Sequence, residues 1–323
     1  MKLSRRTLLC SAAGALPAIS MPQAQERNWP TRPLRVIIPT APGGSPDIAS
    51  RLIGEKITAR LGQPVVVESM TAGGGIPGLQ LVSSSAPDGY THAMLTGGFA
   101  TQAAVLKKLP YRPLEDFTFV SSVVRYPIVY VVRPDSPIPD FKSYIERAKA
   151  QPNTVTNGIA AAGSVYHLLG KWIDNLAGSE VSLVFYRGTA VALQDLLGGR
   201  LDVLTDAATS IIPRIRSGQV RALAVSSAER YPLLPDVPTM AETVKEIRVE
   251  SWLGLASAPN TPSAIVDRLN DEIRRAMDLP DVKAWAAESG VLPAPSAPEE
   301  FHKRVENDIR QWTEIVTRNN ITI

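Results

Sequence analysis

The sequence predicts an α/β protein of two lobes, each a mixed, mostly parallel sheet flanked by helices. Three observations predict it. Strand and helix patterns alternate from Leu34 onward, as in a sheet whose faces are covered by helices. Without its leader the chain keeps about 300 residues, more than one core usually organises. The proline-rich passage Tyr231–Thr239 can continue neither a helix nor a central strand, so it reads as a connection between lobes.

The first units are strand Leu34–Ile38, helix Ile48–Leu61, strand Val65–Val67, helix Gly78–Ser84 and strand Thr91–Thr96. Ile48, Leu52, Ile53, Ile57 and Leu61 recur at three-to-four spacing, and Gly62 ends that helix. A β-rich stretch from Phe117 to Val132 leads out of the first lobe. Helix Asp140–Gln151, strand Val155–Asn157, helix Ser164–Leu176, strand Ser182–Phe185, helix Ala190–Gly198, strand Val203–Thr205, helix Ile211–Ser217 and strand Ala222–Val225 form the second. Strand Trp252–Ala256 and helices Pro262–Asp278 and Pro298–Asn319 close the chain. The first lobe therefore takes residues 25–125 and 240–323, and 126–239 is inserted, which implies two crossovers and a hinged cleft.

Residues 1–24 read as a secretory signal: Lys2, Arg5 and Arg6 precede an apolar run that ends in small residues. Ser4-Arg5-Arg6-Thr7-Leu8-Leu9 fits a twin-arginine leader and an ordinary Sec leader alike. Cys10 follows Leu9, not the small residue a lipid anchor needs. Removing the three leader cations takes the basic count from 34 to 31, against 31 acidic residues, so the mature chain is expected to be near neutral. No nucleic-acid partner is expected. The mature chain also has no cysteine, which excludes disulfides, thiolate metal sites and a cysteine nucleophile. Export points to the periplasm, and a monomer is expected.

The most informative motif is Thr40-Ala41-Pro42-Gly43-Gly44-Ser45-Pro46-Asp47, which follows an apolar strand. Pro46 suits a helix start, Ser45 can cap it and Asp47 favours its positive end. The turn reads as an anion seat or as an ordinary strand-to-helix turn. A second glycine turn, Gly73-Gly74-Gly75-Ile76-Pro77-Gly78, matches G-x-G-x-x-G. The following strand, however, ends Met94-Leu95-Thr96-Gly97-Gly98 without the acid a dinucleotide site requires. His92, His167 and His302 form no ligand-spaced pair, and His302 is expected at the surface. No G-x-S-x-G elbow is present. No metal, cofactor or catalytic residue is expected.

In order and spacing, several segments resemble the Bug-type periplasmic solute receptors, the substrate-binding components of tripartite tricarboxylate transporters. They are Pro30–Pro33, Pro42–Asp47, the glycine turn to Gly78, Ala86–Thr91, Tyr186-Arg187-Gly188, Leu197–Asp202, Ser217–Ala224 and Arg230–Thr239. The resemblance implies a type II periplasmic-binding fold, a Venus flytrap closing on one small carboxylated molecule, with no catalysis. It implies that main-chain N–H groups of Gly43, Gly44, Ser45 and Asp47, and of Met70, Thr71, Ala72, Gly73, Gly74 and Gly75, hold the carboxylate. Thr40, Pro42, Pro46, Thr96 and Gly97 complete the first-lobe wall; Gly163, Ser164, His167, Tyr186, Arg187, Gly188 and Asp206 form the second.

The implied partners are membrane subunits of a tripartite transporter or a sensor kinase. Four positions depart from the usual pattern: Ser69-Met70 stands for Asn-Arg, Thr40 for an aromatic and Phe185 for proline. Met70 and Arg187 lean the reading toward a dicarboxylate or aromatic carboxylate. The alternative is a periplasmic hydrolase or isomerase in the same cleft, which needs a nucleophile or a carboxylate pair.

Overall fold

The computed structural model describes residues 29–160, 162–186 and 188–321. The expected signal segment and Arg187 lie outside the described residues. Strand β4, Thr118–Val132, organises the rest because both halves of the sheet are built on it. Its first part pairs antiparallel with β9, Glu250–Ser257, from Thr118 opposite Ser257 to Pro127 opposite Glu250. Its last part pairs antiparallel with β7, Val203–Ala207, and with β8, Arg221–Val225, starting at Ile128 opposite Ala207. Pro127 sits where the partners change. Having no N–H, it forfeits no donor at that junction.

In the first half β1 (Leu34–Ile38) lies between β2 (Val65–Ser69) and β3 (Thr91–Thr96), all parallel, and β3 runs antiparallel to β9. In the second, β5 (Thr156–Ala160) lies parallel between β6 (Ser182–Tyr186) and β7. Parallel pairing is thus confined to the two outer groups, and the strands that meet β4 are antiparallel, which makes each half mixed. A short β10, Leu292–Pro293, adds to β4.

The helices follow the strands closely. Helix α1 spans Ser45–Leu61, beginning three residues before the expected start, and Gly62 closes it in the left-handed region at φ 72°. The expected serine cap is not made: Gly44 is the N-cap residue and Pro46 the second helical residue. The Asp47 carboxylate instead accepts the Gly43 N–H at 2.9 Å. Helix α2 spans Ile76–Ser83. Helix α3, Gly97–Val105, has no counterpart in the sequence reading. Its opening Gly97-Gly98 resembles a turn, but Thr96 Oγ1 accepts the Gly98 N–H at 3.2 Å and caps it.

The second half carries α4 (Phe141–Ala150), α5 (Val165–Ala177), α6 (Thr189–Leu197) and α7 (Ala208–Arg216). Helices α8 (Ser263–Asp278), α9 (Pro280–Glu288) and α10 (Pro298–Arg318) return to the first. There Phe301 packs edge-on against Phe119 and Trp252, with Gly254 directly beneath its ring. No described helix is long and apolar enough to cross a membrane.

Candidate functional site

A cavity of about 720 Å³ opens between the halves. On the first-lobe side it is lined by the β1–α1 turn from Pro39 to Pro46 except Gly43, by Gly73 and Gly74, and by Ile76 and Leu79 of α2. Thr96 and one face of α3 complete that wall. Tyr126 of β4 and Ser251 of β9 lie at the crossing. The second-lobe wall contains Gly163, Ser164, Tyr166, Gly188, Thr189 and Asp206, then Ala207, Thr209 and Ser210.

The shared feature of these segments is that they are helix starts. The first turns of α1, α2, α3, α5, α6 and α7 all contribute lining residues: Ser45, Ile76, Gly98, Val165, Thr189 and Thr209. A helix N-terminus carries unpaired N–H groups and a fractional positive charge of about half a unit. Six of them on one cavity make an anion-attracting field without a cationic side chain. Among the described residues no lysine, arginine or histidine lines the cavity. Two lining polar atoms, Thr40 Oγ1 and Gln102 Oε1, are buried without a partner among the described residues.

Asp206 is the one charged side chain among the described lining residues, and it is only 6 % exposed. It accepts the Ala207 N–H at 2.7 Å and the Thr189 hydroxyl. Burial pushes its carboxyl above the usual range, and these hydrogen bonds oppose the shift. Burial likewise raises Tyr126 and Tyr166, beside it.

Twelve of the expected residues line the cavity: Thr40, Pro42, Gly44, Ser45, Pro46, Gly73, Gly74, Thr96, Gly163, Ser164, Gly188 and Asp206. Nine others do not. Gly43 and Asp47 are spent on each other, and Asp47 also takes Arg51 Nε at 2.8 Å. Met70 lies against Gly78 in the apolar layer behind α2, and Thr71 and Ala72 face outward. Gly75, at φ 84°, backs onto Pro39 so closely that a Cβ would come within 2.2 Å of it, and Gly97 backs onto Ser251. The Tyr186 hydroxyl donates to Asp195 at 2.7 Å.

His167 is 5 % exposed; its Nδ1 accepts the Gly163 N–H at 3.1 Å, and its ring meets Phe185 edge-on. Burial, and then the Lys171 charge, lower its pKa, so it shapes the Gly163 turn as a neutral acceptor. His302, expected at the surface, is half-buried against the Phe119 ring. The α3 face, Tyr126, Tyr166, Thr189 and Ser251 were missed. For α3, Tyr166 and Thr189 the available signal was the repeated strand-to-helix boundary, which the α3 glycines hid; Tyr126 and Ser251, inside β4 and β9, had none.

Residues 49–321 match the family described as "Tripartite tricarboxylate transporter family receptor". The chain is 31% identical to Protein BugT of Bordetella pertussis over 319 residues, covering 98% of each chain. Among solved structures it is similar to the periplasmic binding protein BugD, with a TM-score of 0.81 at 31% identity, covering 91% of this chain and 99% of that one. It is also similar to MatC from Rhodopseudomonas palustris with bound malate, with a TM-score of 0.80 at 32% identity, covering 89% of this chain and 100% of that one.

Proposed function

The chain belongs to the tripartite tricarboxylate transporter receptor family, and on that premise we propose that it captures a small organic carboxylate in the periplasm. The acid sits between the lobes and is presented, in the closed form, to membrane transporter subunits or to a sensor. The observation that carries this reading is the convergence of six helix starts on one cavity. Dipoles held in place by the fold bind an anion without burying a counter-ion, which avoids the desolvation penalty of a buried charge pair. Closing the lobes expels water, so each N–H contact strengthens.

In this reading the lobes divide at about residues 125 and 240. Binding is passive: Thr40, Gly44, Ser45 and Gly74 meet the carboxylate, Gly163, Ser164 and Asp206 close over the rest, and no bond is broken. Native mass spectrometry of freshly purified mature protein tests it. The expected result is a 1:1 adduct with the mass of an organic acid, released unchanged on denaturation. Recovery of a chemically altered acid, or an adduct that is not an acid, overturns it.

A further inference from the structure

On the reading of the cleft as a carboxylate site, we infer that the acid this chain takes carries one carboxylate and an apolar body, a chain or a ring, lying along α3. Gly98, Thr101, Gln102 and Val105 all line the cavity, a three-to-four spacing that places one whole face of the helix there. With Leu106 that face extends over about 12 Å at about 1.5 Å per residue.

The face changes character along its length. Its start is the capped N-terminus beside Thr96, where a carboxylate is favoured. Its far end is Val105 and Leu106, and Ile76, Leu79 and Phe99 add apolar surface to the same wall. An acid with its head at the N-termini therefore lays its body against hydrocarbon. Gln102 supplies one break: its Nε2 donates to the Gly74 carbonyl at 2.9 Å, and its Oε1 is buried without a partner among the described residues. Across the cavity Asp206 presents a carboxylate, so a second acidic group turned that way meets like charge.

Calorimetry on the mature protein with butanoate, hexanoate, octanoate, octanedioate, malate and octanol tests this. Affinity is expected to rise about fourfold per added methylene along the monocarboxylates, and octanoate is expected to outbind octanedioate and malate at least tenfold. In Val105→Thr, which keeps the shape of the side chain, the octanoate-to-butanoate ratio is expected to fall. A flat monocarboxylate series, or tighter binding of malate or octanedioate, overturns the inference and leaves the carboxylate reading standing. Octanol binding as tightly as octanoate overturns the carboxylate reading itself.

Discussion

His92 shows what a single buried side chain does to stability. It stands on β3 opposite Ser257 of β9, 1 % exposed, with Nδ1 2.8 Å from the serine hydroxyl. Burial holds its pKa down at about 4, against the opposing pull of the Gly89 backbone and the Asp88 charge. The unfolded chain therefore binds this proton first as pH falls. The neutral ring contributes fully above the unfolded value of about 6.5, and that contribution is lost on acidification toward 4, to the extent of about 3 kcal/mol. Desolvation shifts Asp174, Asp206 and Asp308 upward, and they act in the opposite sense, so the comparison must be against a variant. Urea unfolding at pH 7 and pH 4 is expected to show the advantage of wild type over His92→Gln shrinking by about that amount. A pH-independent difference would refute it. Nothing in the sequence around His92 announces its burial, because that depends on which strand β3 pairs with.

Among elements, the helix starts are where sequence and structure part most. β1 and β3 lie where the apolar runs place them, since Leu34–Ile38 and Thr91–Thr96 have turn residues on both sides. The hydrophobic period of α1 begins only at Ile48, although Ser45-Pro46-Asp47 already carries the signs of a helix start. The α3 helix was invisible because it opens on two glycines that read as a turn and its start is set by a threonine cap. Of the twelve expected residues on the cavity, Thr40, Pro42, Gly44, Ser45, Pro46, Gly73 and Gly74 were legible from the two glycine turns, and Thr96, Gly163, Ser164, Gly188 and Asp206 only from the family resemblance; the residues contributed by β4, β9 and α3 depend on tertiary crossing. The α1 start also gives a clean test. Gly44 has φ −79°, and an added Cβ would lie no nearer than 3.5 Å from the Ala41 carbonyl oxygen, so a larger side chain fits the fold and projects at the seat. Gly44→Val is expected to weaken binding of a carboxylate at least tenfold while moving the melting temperature by less than about 4 °C. Calorimetry and a thermal scan read both, and undiminished affinity would remove the turn from the seat.

At the scale of the whole molecule, the two-lobed layout was legible because it rests on strand and helix alternation and on a proline-rich return. The long β-rich stretch from Phe117 to Val132 was legible too and is the 15-residue strand β4; what was not legible is the change of partners at its internal proline, because pairing depends on tertiary crossing. A ligand held between lobes stabilises both at once. At one hundred times its dissociation constant it is expected to raise the unfolding free energy by about 2.7 kcal/mol and to shrink the radius of gyration in X-ray scattering. Stabilisation with no contraction would mean the acid sits on one lobe alone. The shared strand has a further consequence, for cooperativity. Residues 118–127 of β4 pair with β9 in one half and 128–132 lie between β7 and β8 in the other, so melting either half strips the neighbouring half of a strand continuous with its own. Neither half keeps a complete sheet alone, and the molecule gains or loses its structure as a single unit although its chain is divided between two lobes.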